Sequence, residues 1–155
     1  MSKKILYLDM DGVVADFDKM LHNLKEPSDI LDSVKVDEIV ARNPIVFFCD
    51  LEPYDGAIEA VNKLFNLYEV YFLSTPMWDI PESFMAKRIW LDKHFGLSAK
   101  KRLILSHRKD LSIGDFLVDD RLKNGAAEFK GTHIHFATEE FPNWQVTFDY
   151  LEKNA

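Results

Sequence analysis

The sequence predicts an α/β fold, with a parallel sheet of about five strands and helices on both of its faces. Five short runs of residues have strand length and are apolar throughout, which is typical of strands buried in a parallel sheet. Helical patterns separate most of these runs, and such alternation implies right-handed crossovers between parallel strands. The 155 residues suffice for one domain with a small insert. We therefore expect a Rossmann-like three-layer sandwich.

The predicted strands end, or nearly end, in polar residues. In chain order they cover residues 5–9, 70–74, 103–106, 116–119 and 133–136. Ligands of open α/β sheets bind outside the carboxyl ends of the strands. Three of the strands bring acids or a hydroxyl to that edge: Asp9 with Asp11, Ser74, and Asp119 with Asp120. The sequence therefore predicts a polar site at this edge.

Three helices are predicted between and after the strands, over residues 56–67, 81–95 and 141–151, the last opening with Phe141-Pro142-Asn143-Trp144. Pro81 suits a first helical turn, and Gly96 follows the last one. Residues 17–52 carry helical patterns but no strand, which indicates a small helical cap inserted after the first strand. The predicted division is a core of residues 1–16 and 53–155 and a cap of residues 17–52.

Composition excludes several classes of protein. No apolar run approaches the roughly 20 residues that span a bilayer, so neither a membrane segment nor a signal peptide is expected and the predicted location is cytoplasmic. The net charge of −7 argues against a nucleic-acid partner. Cys49 is the only cysteine, which rules out an internal disulfide, and we interpret it as a buried small hydrophobe.

The segment Asp9-Met10-Asp11-Gly12 is the strongest chemical signal in the chain. Two acids so close together repel each other unless a cation neutralises them, and carboxylate oxygens suit Mg²⁺. Gly12 would let the backbone turn sharply beside a ligand. A calcium-binding EF-hand would need further oxygen ligands, which Val13, Val14 and Ala15 do not supply. In phosphoryl transfer one such carboxylate can attack phosphorus while the other serves as acid and base.

Five ordered segments resemble the haloacid dehalogenase (HAD) superfamily of phosphatases and, within it, the 5′(3′)-deoxyribonucleotidases. In chain order they are residues 9–17 (DMDGVVADF), residues 47–53 (FFCDLEP), Ser74-Thr75-Pro76, Lys87 through Trp90 to Gly96, and Val118-Asp119-Asp120-Arg121. Five segments in order are far more specific than any one of them.

The resemblance implies a role for each matching residue. Asp9 would be the nucleophile and a metal ligand, and Asp11 the acid–base residue, whose backbone carbonyl also meets the metal. Ser74, with Thr75 beside it, and Lys87 would bind the phosphate. Asp120 would complete a magnesium site, with Asp119 as its support or as the alternative ligand.

Other candidates concern the substrate. Four aromatic side chains are candidates for stacking on a base, although core packing is an alternative for each: Phe17, Phe47, Phe48 and Trp78. The family commonly has Arg at the place of His107, and whether His107 or Arg108 contacts the substrate stays open. His133 and His135 point to one face of a predicted strand, where a two-His metal site is a minor alternative.

The resemblance thus implies a magnesium-dependent phosphoric monoester hydrolase that releases phosphate from deoxyribonucleoside 5′- and 3′-monophosphates. Its expected partner is a nucleoside monophosphate, with neither nucleic acid nor membrane, and a homodimer stays open. Three alternatives remain: a phosphatase of another small phosphate ester, a phosphatase of nucleic-acid ends, and a binding protein that has lost catalysis. The last would predict a damaged motif, yet all the motif residues are present.

Overall fold

The computed structural model describes residues 2–155. It contains five strands: β1 (Ile5–Leu8), β2 (Glu69–Ser74), β3 (Leu103–Leu105), β4 (Phe116–Asp119) and β5 (Thr132–His135). Six α-helices accompany them: α1 (Phe17–Leu24), α2 (Ser33–Arg42), α3 (Pro44–Cys49), α4 (Ala57–Leu67), α5 (Glu82–Phe95) and α6 (Trp144–Lys153). Two short 3-10 helices follow α5 and β3, at Gly96–Ala99 and Lys109–Leu111. The predicted strands and helices are therefore all found, with small shifts at their ends.

The five strands form one sheet in the order β3-β2-β1-β4-β5, and every neighbouring pair is parallel. The central strand β1 pairs with β2 on one side and with β4 on the other. Parallel pairing brings all the carboxyl ends of the strands to the same edge. This arrangement confirms the predicted Rossmann-like α/β fold.

The two faces of the sheet are covered unequally. On one face, side chains such as Leu8 and Phe72 join a large core with α4, α5 and α6. On the other face, Tyr7 and Leu117 pack against Phe129 in a much smaller cluster. That second layer consists of the 3-10 helix Lys109–Leu111 and a segment of turns over residues 121–129. The three layers are present, but the layer on this second face of the sheet contains less helix than the sequence predicted.

Side-chain caps explain where the inserted helices begin. Asp16 accepts a hydrogen bond from the Lys19 amide at the start of α1, and Asp32 does the same for Lys35 at the start of α2. Asn43 caps α3, whose first residue is proline. These three helices occupy the predicted cap segment.

The last cap helix is attached to the core. Helix α3 packs along α5, where Trp90 Nε1 donates to the Leu51 carbonyl at 2.8 Å. The two ends of the inserted segment lie side by side where they join the core. There the Asp16 amide donates to the Glu52 carbonyl, and the Tyr54 amide donates to the Val14 carbonyl. No helix within residues 2–155 is long and apolar enough to cross a membrane.

Candidate active site

The loop after β1 holds the first two acids in a fixed turn. The amides of Val13, Val14 and Ala15 all donate to the carbonyl of Met10, at 2.9–3.1 Å. Gly12 has a φ of +81°, and a Cβ at this position would lie 2.2 Å from Asp120 Oδ2. Glycine is therefore needed both for the turn and for the close approach of the Asp120 carboxylate.

Asp9 lies beside the acids that end β4. Its amide donates to the Val118 carbonyl at 2.9 Å, which continues the pairing of β1 with β4. One oxygen each from Asp9, Asp119 and Asp120 lies within 4.8 Å of the other two. The sheet thus brings together the three strand-end carboxylates that the sequence predicted at this edge.

Lys109 completes this group, and the sequence motifs do not reveal it. Its Nζ lies 2.5 Å from Asp119 Oδ2 and 3.1 Å from Asp9 Oδ1, and only 3% of the residue is exposed. We call Asp9, Lys109, Asp119 and Asp120 the strand-end cluster. Its position could have indicated it, because the loop after β3 begins at the same edge of the sheet as the acids. The family resemblance instead drew attention to His107 and Arg108, which come just before this lysine.

A close backbone contact supports Lys109. Its amide donates to the Asn124 carbonyl at 2.7 Å, so the 3-10 helix that carries it packs on the turn after β4. A Cβ at Gly125 would lie 2.2 Å from Asp110 Oδ1, and the φ of Gly125 is +82°. Only glycine therefore allows the turn to approach this closely.

Lys87 is placed beside Asp11 rather than within the strand-end cluster. It comes from α5, is 2% exposed, and its Nζ lies 2.8 Å from Asp11 Oδ2. The Phe48 ring lies over the ammonium group, with 5.4 Å between Lys87 Nζ and the ring centroid. The side chain of Asp11 is 26% exposed, so water reaches this pair more easily than it reaches Lys109 and its partners.

The two hydroxyl candidates differ in access. Ser74 is buried at the end of β2, whereas Thr75 lines the cavity and donates to the Ser106 carbonyl at 2.8 Å. His107 Nε2 lies 3.1 Å from the Pro76 carbonyl, and Arg108 is paired with Asp110 through two contacts of 2.9 and 2.6 Å. Neither His107 nor Arg108 lines the cavity.

A cavity of about 470 Å³ lies between the strand-end cluster and the cap. Its apolar cap side is formed by Phe17, Leu31 and Val36, which we call the cap wall. Exposed acids of the cap, including Asp18 and Asp37, also border the cavity. Such a volume is typical of sites for small molecules.

Only one of the four aromatic candidates lines this cavity. Phe17 does so, and its ring packs against Phe47 and Phe48 at centroid distances of 5.1 and 6.2 Å. Phe47 and Phe48 are 2% and 1% exposed and support Phe17 from below. Trp78 is 73% exposed and lies beside Phe84 and His107, outside the cavity.

Two carboxylates of the site, Asp9 and Asp120, have a raised pKa and hold their protons more strongly than free acids do. Burial raises the pKa of Asp9. Burial, with repulsion from Asp9 and Asp119, raises the pKa of Asp120 to about 8. Burial alone would lower the pKa of Lys109, but the charges of Asp9 and Asp119 outweigh it and raise this pKa. The site is therefore short of positive charge.

The residues present fit a divalent cation. Four carboxylates (Asp9, Asp11, Asp119 and Asp120) face two ammonium groups, which leaves two formal negative charges. Asp120 Oδ1 is buried and has no hydrogen-bond partner within residues 2–155. Burying a carboxylate oxygen without a hydrogen-bond partner destabilises the folded protein. A bound divalent cation that prefers oxygen ligands would offset this cost by coordinating the oxygen.

Comparisons with known sequences point to one family. The chain matches the family described as 5′ nucleotidase, deoxy (pyrimidine), cytosolic type C protein over residues 36–147. A protein of Vibrio phage KVP40, provisionally named a 5′(3′)-deoxyribonucleotidase, is 43% identical over 149 residues, covering 96% of this chain and 85% of the phage protein. The human cytosolic-type 5′(3′)-deoxyribonucleotidase is 29% identical over 138 residues, covering 74% of this chain and 69% of the human protein.

Solved structures share the fold at low sequence identity. Magnesium-bound YfnB of Bacillus subtilis, provisionally described as a HAD hydrolase, gives a TM-score of 0.67 at 10% identity, covering 97% of this chain and 99% of that one. A haloacid dehalogenase-like hydrolase of Xanthomonas campestris gives a TM-score of 0.56 at 11% identity, covering 98% and 96%. Both have the same α/β architecture as this chain.

Proposed function

The chain belongs to the 5′(3′)-deoxyribonucleotidase family of HAD-type hydrolases, and we propose that it is a magnesium-dependent phosphomonoesterase. Its proposed substrates are deoxyribonucleoside 5′- and 3′-monophosphates, hydrolysed through an aspartyl-phosphate. The observation that carries the proposal is the setting of Asp9, a buried carboxylate beside the cavity with Lys109 Nζ at 3.1 Å.

In the first proposed step, an oxygen of Asp9 attacks phosphorus. A bond forms between Asp9 and phosphorus, and the ester bond to the leaving oxygen breaks. Asp11 gives its proton to that oxygen, so the nucleoside leaves as an alcohol. Asp11 suits this part because it lies two residues beyond Asp9, lines the same cavity and is partly exposed to water.

In the second step, water attacks the phosphorus of the aspartyl-phosphate. Asp11 now takes a proton from this water, the bond between Asp9 and phosphorus breaks, and inorganic phosphate leaves. Asp11 has its proton again and Asp9 is a free carboxylate. The cycle consumes one water molecule and restores both acids.

The charge on the transferred phosphoryl group needs donors. Lys109 is close enough to Asp9 to reach a phosphate bound there, and we add it to the predicted ligands Ser74, Thr75 and Lys87. A lysine ammonium has three donor hydrogens, so Lys87 can bond to Asp11 and a phosphate oxygen together. A divalent cation held by Asp9, Asp120 and the Asp11 carbonyl would offset the repulsion between nucleophile and phosphate.

Two contacts favour Asp120 over Asp119 as the direct metal ligand. Both oxygens of Asp119 are already engaged, one by Lys109 Nζ and the other by the Arg121 amide. Asp120 Oδ1 has no partner within residues 2–155. Asp119 accordingly has a supporting role in the proposal.

A mononucleotide suits the cavity better than a nucleic-acid end. The cap acids Asp18, Asp32 and Asp37 border the cavity and would repel the phosphates of a longer strand. A single nucleotide brings only one phosphate, whose charge Lys109, Lys87 and a bound divalent cation would offset. Phe17 offers the base an aromatic face.

The test is phosphate release from deoxyribonucleoside 5′- and 3′-monophosphates, a sugar phosphate and a 3′-phosphorylated oligonucleotide, each with and without Mg²⁺. We expect the mononucleotides to react fastest and D9N to be inactive. D11N keeps the nucleophile but lacks the acid–base group of both steps. With p-nitrophenyl phosphate, whose leaving group needs no proton, phosphate should accumulate on Asp9 of D11N and be found there by peptide mass spectrometry. D149N, which changes an exposed acid on α6, is the control. Full activity of D9N would refute the mechanism, and faster turnover of the oligonucleotide would refute the substrate.

A further inference from the structure

Two histidines on the edge strand β5 contact the backbone of the acid pair that ends β4. His133 Nε2 lies 3.2 Å from the Asp119 carbonyl oxygen, and His135 Nε2 lies 3.1 Å from the Asp120 carbonyl oxygen. A carbonyl oxygen can only accept, so Nε2 carries the proton in both rings. The two rings are stacked, with centroids 5.5 Å apart.

The register of the sheet creates this arrangement. Strand β5 pairs with β4 so that His135 lies opposite Asp119 and His133 opposite Leu117. Alternate residues of a strand share a face, which puts both rings on the side of the sheet that carries Leu117 and Tyr7. Ile134 and Phe136 point the other way, into the main core. Both histidine rings therefore lie over the end of β4.

The two contacts differ in importance. The Asp119 carbonyl also accepts from the Phe136 amide at 3.0 Å, and the Asp119 carboxylate is held by Lys109 and by the Arg121 amide. Within residues 2–155, the Asp120 carbonyl accepts from His135 alone. Asp120 Oδ1 has no hydrogen-bond partner there either, so the position of the carboxylate depends on the Asp120 backbone, on the space that Gly12 leaves and on the neighbouring Asp9 carboxylate.

We infer that His135 is a positioning residue, whose hydrogen bond to the Asp120 backbone presents the Asp120 carboxylate to the divalent cation, and that His133 supports its ring. The inference rests on the proposed function, because it assigns Asp120 to the metal. Residues behind metal ligands typically change metal affinity about 10–100-fold when they are replaced. The hydrogen bond here is neutral and reaches the ligand through its backbone, so an effect of about tenfold is expected.

The test uses two substitutions that separate the hydrogen bond from the ring. H135F keeps an aromatic ring to stack on His133 but has no donor, whereas H135Q keeps a nitrogen donor and loses the ring. Magnesium binding without substrate is measured by calorimetry, together with the melting temperature and the substrate KM at saturating Mg²⁺. H22F, which replaces an exposed histidine on the cap, is the matched control.

We expect H135F to raise the Kd for Mg²⁺ about tenfold without changing the substrate KM at saturating Mg²⁺. H135Q should keep most of the affinity, and H133F should lose less than H135F. An H135F protein that melts at a lower temperature but binds Mg²⁺ like the wild type would overturn the inference. Equal losses in H135F and H135Q would do so too, because ring packing would then be the cause. If the wild type itself binds no Mg²⁺, the proposed metal dependence fails as well.

Discussion

The strand-end cluster and the cap wall face each other across one cavity, but they are built in opposite ways. The strand-end cluster is charged, and its members are buried except for the half-buried Asp120. Lys109 links Asp9 to Asp119. The cap wall of Phe17, Leu31 and Val36 is apolar and half-buried, and these side chains are held by packing alone. Under the proposed function, this difference predicts that the sheet edge carries the chemistry and that the cap wall selects the substrate.

This difference makes a general prediction about kinetics. Substitutions in the strand-end cluster should lower kcat, because they remove interactions with the transferring phosphoryl group. Substitutions in the cap wall should mainly raise KM, because they remove contacts that the ground state and the transition state share. The effect expected from a substitution is largest at Lys109, smaller at Asp120 and Phe17, and smallest at Val36.

The largest effect is expected from Lys109 compared with Lys87. K109M leaves Asp9 and Asp119 buried without a counter-charge, which should cost about 3–5 kcal/mol of unfolding free energy and about 10²–10³-fold in kcat. K87M should destabilise less, because its partner Asp11 is 26% exposed and can be hydrated. Urea unfolding and steady-state kinetics measure both quantities.

K63M is the matched control for this pair, since Lys63 forms an exposed ion pair with Glu59 on α4. Exposed pairs contribute about 0–1 kcal/mol, so K63M should change little. If K87M destabilised the protein as much as K109M, the difference in burial between the two sites would not be what matters.

The second prediction concerns pH and the strand-end cluster. The pKa of Asp120 is raised from 3.8 to about 8 in the metal-free protein, so the folded state holds a proton that the unfolded state releases. The stability of the metal-free protein should therefore fall as pH rises between these values. Magnesium binds the deprotonated carboxylate, so the Mg²⁺-induced rise in melting temperature should grow with pH up to about 8.

D120N tests this assignment by thermal denaturation with and without Mg²⁺ across the same pH range. The variant should show a flatter pH profile without metal and little stabilisation by Mg²⁺ at any pH. D149N is again the control and should behave like the wild type. A wild-type Mg²⁺ effect that shrinks as pH rises would contradict the predicted direction of this linkage.

The third prediction concerns Phe17 in the cap wall. Stacking of a base on an aromatic ring contributes about 1–3 kcal/mol, so F17A should raise the KM for a nucleotide by about tenfold or more. The kcat should change much less. L24A is the control, because Leu24 lies on the same helix, is 44% exposed and does not line the cavity. If F17A lowered kcat and left KM unchanged, the proposed difference in role between the cap wall and the strand-end cluster would be wrong.

The smallest effect is expected from Val36. V36A shortens a half-buried side chain of the cap wall, and we expect a change of a few-fold, about 1 kcal/mol or less, in the ratio of kcat/KM between purine and pyrimidine nucleotides. Val34 lies on the same helix but is 73% exposed and outside the cavity, so V34A should leave this ratio unchanged. Equal effects of the two substitutions would argue against selection by the cap wall.

Much of the site was predictable because its acids follow strands directly. Asp9 follows β1 and Asp119 ends β4, and parallel strands place such residues at one edge whatever the details of packing. Lys109 was missed because it lies in a 3-10 helix several residues beyond β3. The path of such a connection depends on contacts far along the chain, such as the Lys109 amide with the Asn124 carbonyl.

The aromatic residues show the same limit. Phe17 and Trp78 were the stronger base-stacking candidates in the sequence, because each lies just past a segment with predicted site residues, yet only Phe17 lines the cavity. Likewise the layer opposite the main helices consists of turns and one 3-10 helix, in part because Asn124 and Gly125 both adopt positive φ. Apolar character favours burial of a side chain but does not decide it, since Trp78 is 73% exposed, and it does not show which ring faces a ligand.

The sequence by itself determined the strands and helices, the parallel sheet and the carboxylates at its edge, because apolar periodicity and strand-end positions are local properties of the chain. The tertiary structure alone decided which lysine joins Asp9, which ring faces the cavity, and that His135 contacts the backbone of Asp120. These relations join residues far apart in sequence. Their distances depend on the packing of the whole domain, which no local pattern specifies.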